Sequence, residues 1–423
     1  MNIDSEKFMD LEISKRIEWV KEIANLTDDE VKVINKPDAL KIDVANNMIE
    51  NVIGTFELPY AVAFNFLING KEYVVPMVTE EAYLVNSVTK MAKIIKECGG
   101  FTAGYTESLM IGQIQLVDIE NPRLAKYKIL ENKDKIIEIA NKKDPKLVSV
   151  GGGVKDVEVR SLDSKIGPLV TVHLLVNTVD AMGANAVNTM AEAVAPFIEE
   201  LTEGKAKLKI LSNLADRRVA YSTVKVKKEL LSGEEVVDGI VAAYEIAEAD
   251  PYRAATHNKG ILNGIVPVVL ATCNDTRAIE AGCHSYTARS GQYRPLTKYK
   301  KDKNGDLLGL IETPMAVGTV GGNISIHPMA QVSLKILGVE TAAELGQVIA
   351  SVGLAQNLTT VKSIVTGGLQ ADFAPLHARS IAVQTGATDE DLNHIVNLMV
   401  ENNNFQLEYA KQLYSELTNK INA

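Results

Sequence analysis

The stretch from Ile111 to Ile210 constrains the fold most, because its hydrophobic pattern alternates between strand and helix periods within a short span. QIQLVDI, VEVRSL, LVTVHLLVNTV and KLKILSN are short β-branched runs. A charged helical segment through about Asn141, a Gly151-Gly152-Gly153 turn and a second helix separate them. Such a pattern predicts a compact α+β module of about 100 residues, with helices packed on a sheet. The flanks read differently. Ser14 to Lys32 carries Ile17, Val20, Ile23 and Ala24 at helical spacing. Phe64 to Met77 reads as a hairpin around the Asn69-Gly70 turn signal. Glu80 to Gly100 reads as a helix ending on a glycine pair, and another lies near Glu234 to Glu248. The module is therefore an insertion in a larger, more helical host. After Gly367 and Gly368 a mostly helical C-terminal segment of about 55 residues forms a candidate flap.

Composition sets the functional classes. Hydrophobic residues make up 46% of the 423 and charged residues 23%, as in an ordinary globular chain. Forty-four Lys and Arg against fifty-four Asp and Glu give a net charge of -10. That is the wrong sign for a protein that neutralises nucleic-acid phosphates. Three cysteines, Cys98, Cys273 and Cys283, have neither disulfide-framework nor zinc spacing, and the six histidines show no metal-binding pattern. No metal is expected. No signal-peptide core and no uninterrupted run of eighteen apolar residues occurs, so the expectation is a cytoplasmic protein without a membrane partner.

Polar residues interrupt an apolar run most densely in DPYRAATHNKGILNGIVPVVLATCNDTRAIEAG, which holds Arg253, His257, Asn258, Lys259, Asn263, Asn274, Asp275 and Arg277. Polar groups in such surroundings need partners. If the run is helical, Lys259 and Asn263 lie one turn apart, so the amide can orient an ammonium suited to polarising a carbonyl or stabilising an alkoxide. A structural ion pair between Lys259 and Asp275 explains the same residues. Glu80 and Glu81 follow an apolar strand, where helix N-terminal charge is the simpler explanation. DAMGANAVN, from Asp180 to Asn188, places Gly183 between strand and helix, where backbone amides can approach a phosphate. Close strand-helix packing accounts for it equally. The run Gly318-Thr319-Val320-Gly321-Gly322 is a loop of either kind.

Taken together, ENVIGTFELPYAV from Glu50, VPMVTEEAYLV from Val75, DAMGANAVNTMAEAVAPF from Asp180, ILSNLAD from Ile210, DPYRAATHNKGILNGI from Asp250 and NDTRA from Asn274 resemble the class II hydroxymethylglutaryl-CoA reductases nearly end to end. The resemblance implies an α+β fold. A large, mostly helical substrate and dimerisation domain (1–107 and 214–367) would carry an inserted ferredoxin-like, non-Rossmann dinucleotide domain (108–213) and a helical C-terminal flap (368–423). It implies homodimers, or higher homo-oligomers, with the active site between subunits. It also implies interconversion of hydroxymethylglutaryl-CoA and mevalonate through two hydride transfers. Carried over by position, Lys259 is the cation at the carbonyl, Asp275 its charge partner and Glu81 the proton donor and acceptor. Asn263 orients these groups, Arg253 binds the substrate carboxylate, and Gln356 and Asn357 fall on the substrate side. Asp180, Met182, Gly183, Asn185 and Asn213 match the dinucleotide motif. Asp144 falls where an acid meets the adenosine ribose, which favours NAD(H) over NADP(H) by repelling a 2′-phosphate.

The sequence departs from that family on the thioester side. Where members carry a flap histidine that protonates the departing thiolate, this chain has Phe373, which donates no proton. His377, four residues on, is the candidate substitute acid. Tyr83 stands where a small hydroxyl residue is usual, and Met9 aligns with an arginine expected near the CoA phosphates. Three readings stay open: a working reductase with a weakened thioester step, an NAD-dependent enzyme for a CoA-free mevalonate- or mevaldate-like acid, and a catalytically weak ligand-binding relative.

Overall fold

The structure, a computed structural model, describes residues 5–9, 11–36, 39–367 and 377–421. Four helices open the chain: α1 (Ser5–Met9), α2 (Ile13–Ala24), α3 (Asp28–Asn35) and α4 (Ile42–Met48). The single helix expected over Ser14 to Lys32 is two. Asn25 ends α2 in the left-handed region at φ 49°, and Thr27 starts α3 with a capping box to Glu30. The rings of Phe8, Trp19 and Phe64 meet at 5.1 to 5.4 Å and dock these helices on the hairpin β1 (Tyr60–Ile68) and β2 (Lys71–Val78). Asn69 and Gly70 both have positive φ, the turn that matches strand twist in a two-residue hairpin.

Helix α5 spans Leu84–Glu97, so Glu80 and Glu81 precede it instead of beginning it. Tyr83 occupies its N-cap at φ 78°, and no acid lies in its first turn. The helix-dipole explanation for Glu81 fails on this point.

After β3 (Thr102–Tyr105) the chain runs β4 (Leu109–Val117), α6 (Pro122–Glu131), α7 (Lys133–Asn141), α8 (Pro145–Ser149), β5 (Gly153–Leu162), β6 (Leu169–Asn177), α9 (Ala184–Thr202) and β7 (Lys205–Ser212). Its four strands form one antiparallel sheet in the order β5-β6-β4-β7, with α6, α7 and α9 packed on it. This β-α-β-β-α-β succession is the split βαβ arrangement.

The chain continues through β8 (Val219–Val226), α10 (Glu234–Ala249), α11 (Pro251–Ala271), α12 (Thr276–Ala288), β9 (Thr297–Lys301), β10 (Leu307–Pro314), α13 (Pro328–Leu337) and α14 (Ala342–Thr366). A second antiparallel sheet has the order β3-β8-β10-β9. Helix α14 has 25 residues and is apolar enough to cross a bilayer by length and composition, yet 72% of its most apolar window is buried against its neighbours, among them α11, α5 and β8. One apolar core runs unbroken from the hairpin through the inserted sheet to α14. The C-terminal helices, α15 (377–382), α16 (Asp389–Glu401) and α17 (Leu407–Ile421), build a separate core around Ala382, Ile395, Met399 and Ala410.

Candidate active site

Asp250 caps α11 through the backbone N–H of Tyr252, and Pro251 supplies the pre-set φ of the first turn. The helix buries His257, Asn258 and Ile261, whereas Lys259 projects outward with 64% of its side chain exposed. Its ammonium donates to the Glu81 carboxylate at 3.3 Å, reaching from the helix to the loop that follows β2. Two side chains far apart in sequence, singled out independently, thus meet. Asn263, one turn along α11, and Arg253, in its first turn, have no hydrogen-bond or ion-pair partner among the described residues. Arg253 is half-buried, and burial lowers its pKa. A guanidinium in that setting has its donors available to an anion.

Asp275 does not pair with Lys259. About 18 Å of helix rise separates Lys259 from the end of α11, and Asp275 sits in the turn beyond it. There it caps α12, accepting from the backbone of Arg277 and Ala278 and from the Arg277 guanidinium. Burial works to raise its carboxyl, but those hydrogen bonds outweigh it and hold the group below the usual range. The charge-partner assignment therefore fails within one chain.

Gln356 and Asn357 also depart from expectation. Both are buried in α14. The Asn357 carbonyl accepts from Thr297 at 3.1 Å and Tyr299 at 2.8 Å, and its amide donates to the His257 carbonyl. Gln356 faces Ser87. They are spent on, or enclosed in, the interior. His257 shares that interior: its Nε2 meets Thr297 Oγ1 at 2.6 Å, and burial pushes its pKa down to about 3.

A cavity of about 1070 Å³ adjoins Glu81 and is lined by Glu80, Tyr83, Tyr60, Phe8 and Met9, with Arg16 and Lys90 bringing positive charge. Met9 lines this space, and the Arg16 guanidinium donates to the carbonyls of Met9 and Leu11, which sets a cation directly beside Met9.

The two glycine-containing loops, each weak alone, pack on one another. Ala181 and Val320 form a parallel bridge, and the Asp180 carbonyl accepts from the Thr319 backbone at 2.8 Å. Asn274 clamps both backbone groups of Gly318, at 2.8 and 3.1 Å. A Cβ on Gly318 would lie 2.7 Å from the Met182 nitrogen, so only glycine permits this approach. Gly183 caps α9 at φ 86°, and a Cβ there would lie 2.2 Å from the Thr178 methyl. The Asp180 carboxylate holds the Ala342 N–H at the start of α14. Met182 is half-buried, Asn185 is exposed in the first turn of α9, and Asn213 is exposed just past β7. Asp144 caps α8 through Oδ1 to the Leu147 N–H at 2.8 Å.

His377 is exposed at the start of α15, and its ring packs against Phe405 at 5.8 Å. Phe373 lies outside the described residues.

A family model for hydroxymethylglutaryl-coenzyme A reductase matches residues 12–378. The chain belongs to the hydroxymethylglutaryl-coenzyme A reductase family. It is 52% identical over 410 residues to the 3-hydroxy-3-methylglutaryl-coenzyme A reductase of Archaeoglobus fulgidus, covering 97% of this chain and 94% of that one. A probable reductase of Borreliella burgdorferi is 32% identical over 90% of this chain and 89% of its own. Among solved structures, the Streptococcus pneumoniae reductase superposes with a TM-score of 0.85 at 38% identity, covering 98% of this chain and all of that one. A class II form from the same organism, bound to NADPH in open conformations, gives 0.82 at 39%, covering 96% of this chain and all of its own. Sequence reasoning did not single out Arg218, which is fully buried and donates to the carbonyls of Ala181 and Met182 in the Asp180 loop.

Proposed function

We propose that the protein is a homodimeric, NAD(H)-dependent hydroxymethylglutaryl-CoA reductase. Residues 1–107 and 214–367 bind substrate and dimerise, 108–213 bind the dinucleotide, and 368–423 act as the flap. The Lys259–Glu81 pair carries the reading: it joins a helix to a loop, stays open to solvent and borders the large cavity. In this reading Lys259 stabilises negative charge developing on the substrate carbonyl oxygen, and the Glu81 carboxyl exchanges the proton with it. Arg253 takes the substrate carboxylate and Asn263 orients the ammonium. Arg16 and Lys90 face the phosphates of CoA. Asp275 completes the charge pairing from the second subunit, which the geometry of α11 requires if it is to reach Lys259.

The residues present fit a dinucleotide. Gly183 lets the start of α9 close on the Thr178 side chain, and no side chain caps that helix start, which leaves its first N–H groups available to an anion. When bound, the dinucleotide supplies hydride. The Asp144 oxygen not used in capping accepts from ribose hydroxyls, and its charge disfavours a 2′-phosphate. That sets this chain apart from the pneumococcal relative solved with NADPH. Three unpaired cysteines support a reducing, cytoplasmic setting.

The thioester step also needs an acid for the departing thiolate. Phe373 stands at the position that would supply it, and this favours a second reading, reduction of a CoA-free mevaldate-like acid. NADH absorbance followed with hydroxymethylglutaryl-CoA and with mevaldate separates the two. Turnover of mevaldate alone would sink the first reading, and no turnover of either with intact NADH binding would leave a ligand-binding relative. Phe373→His is expected to raise thioester reduction alone.

A further inference from the structure

Arg218 is the largest fully buried side chain among the described residues and the only arginine counted with the buried core. Its guanidinium spends its donors on neutral acceptors. Nε donates to the Tyr105 hydroxyl at 2.6 Å, and Nη1 donates to the Thr178 hydroxyl at 2.9 Å and to the carbonyls of Ala181 and Met182 at 3.1 and 3.3 Å. Nη2 donates to the Val317 carbonyl. No carboxylate pairs with it among the described residues. Its neighbour Arg217 behaves differently: it is exposed and pairs with Glu158.

Fully burying a cation costs several kcal/mol when no opposite charge repays it. The guanidinium supplies five N–H donors where a neutral amide supplies two, and that accounts for the staple. The charge it brings has no paired carboxylate among the described residues and is available to an anionic ligand. Two of the guanidinium's acceptors, the carbonyls of Ala181 and Met182, lie two and one residues before Gly183, the N-cap of α9, whose first turn has no side-chain cap. The same guanidinium holds Thr178, whose hydroxyl donates to the Ala181 carbonyl and whose methyl packs where a Cβ on Gly183 would lie. Through Val317 it ties that loop to the Gly318 loop.

We propose that Arg218 is a positioning residue for the dinucleotide: it fixes the 178–183 loop against the 317–320 loop and places a buried positive charge behind the pyrophosphate site, where the bound anion supplies its counter-charge. The inference rests on reading the Asp180–Asn185 loop as the dinucleotide site.

The test compares wild type, Arg218→Lys and Arg218→Met as full-length oligomers. NADH and NADPH are titrated by fluorescence, and KM is measured separately for dinucleotide and acyl substrate. Arg218→Met is expected to weaken dinucleotide binding by at least about tenfold while the acyl KM stays within about twofold. Arg218→Lys, which keeps the charge and loses the fork, falls between. A purely structural role would move both KM values together, and that result overturns the proposal. So does NADH binding within twofold of wild type in Arg218→Met. If wild type binds neither dinucleotide, the reading of the loop itself falls, a pattern distinct from either. Should Arg218→Met not fold, Tyr105→Phe removes the Nε acceptor, together with the hydrogen bond that the Tyr105 hydroxyl donates to the Met315 carbonyl, and keeps the guanidinium. It is expected to weaken NADH binding about threefold, and unchanged binding overturns the proposal.

Discussion

Mixing two inactive variants tests whether the site is built across subunits. Lys259→Ala removes the ammonium. Asp275→Asn removes a charge while keeping a residue that caps helices as well as aspartate does, so α12 survives. Each homodimer then lacks one component at both sites. Because α11 holds Lys259 about 18 Å from the turn carrying Asp275, a site that uses both draws them from different chains. A mixed dimer has one site with both lesions and one with neither. Random pairing makes half the dimers mixed, and half of their sites are intact, so activity returns to about one quarter of wild type. The variants are co-expressed with different tags, mixed dimers are isolated on both tags, and NADH oxidation is followed. Isolated mixed dimers should reach about half of wild type. Activity no greater than the sum of the parents would refute the reasoning, because a site contained in one chain cannot be restored by mixing.

Glu81→Gln should leave stability almost unchanged. An exposed pair at 3.3 Å is worth at most about 1.3 kcal/mol in water and less after screening, whereas kcat should fall by about 10² to 10⁴; a large loss of Tm with little loss of rate would make the pair structural. Gly183→Ala meets both an unfavourable φ and the Thr178 methyl, so dinucleotide affinity should drop by about tenfold or more with the acyl KM spared, as titration with NADH will show. His257 is held neutral by burial, with a pKa of about 3 against an ordinary 6.5. Its contribution is therefore complete above pH 6.5 and is lost as pH falls towards 3, about 2 kcal/mol of it by pH 5. Urea unfolding of His257→Gln should lack that part of the slope between pH 7 and 5. Asp144→Ala should raise KM for NADH and lower it for NADPH, and an unchanged ratio in steady-state assays would remove Asp144 from cofactor choice.

Local chemistry made some of this legible. Asn69-Gly70 needs no tertiary partner to turn a hairpin, and DAMGAN announces a strand-to-helix junction through one glycine. The break between α2 and α3 was also local, since Thr27 and Glu30 form a capping box, but the longer apolar period masked it. The helix start was hidden because Tyr83 holds a left-handed backbone at φ 78° that no turn signal in the sequence announces, so Glu80 and Glu81 fall before α5. Gln356 and Asn357 look alike whether they meet a ligand or the core. Thr297 and Tyr299, some sixty residues away, decide for Asn357. Arg217 and Arg218 are indistinguishable in sequence, and only the sheet and loops around them separate an exposed pair from a buried charge.

Burial separates the residues around the Asp180 loop from those around the Glu81 cavity. Around the Asp180 loop, Arg218, Asn274 and Asp180 join backbone groups of loops far apart in sequence, so each substitution there strands buried donors or acceptors. Folding itself protects those positions. Around the Glu81 cavity Met9 is 48% exposed and Tyr83 lines the space, and the C-terminal helices pack on a core of their own. Changes there leave the main core intact. Substitutions at Met9 and Tyr83 are therefore expected to alter what the Glu81 cavity accepts while leaving the melting temperature almost unchanged.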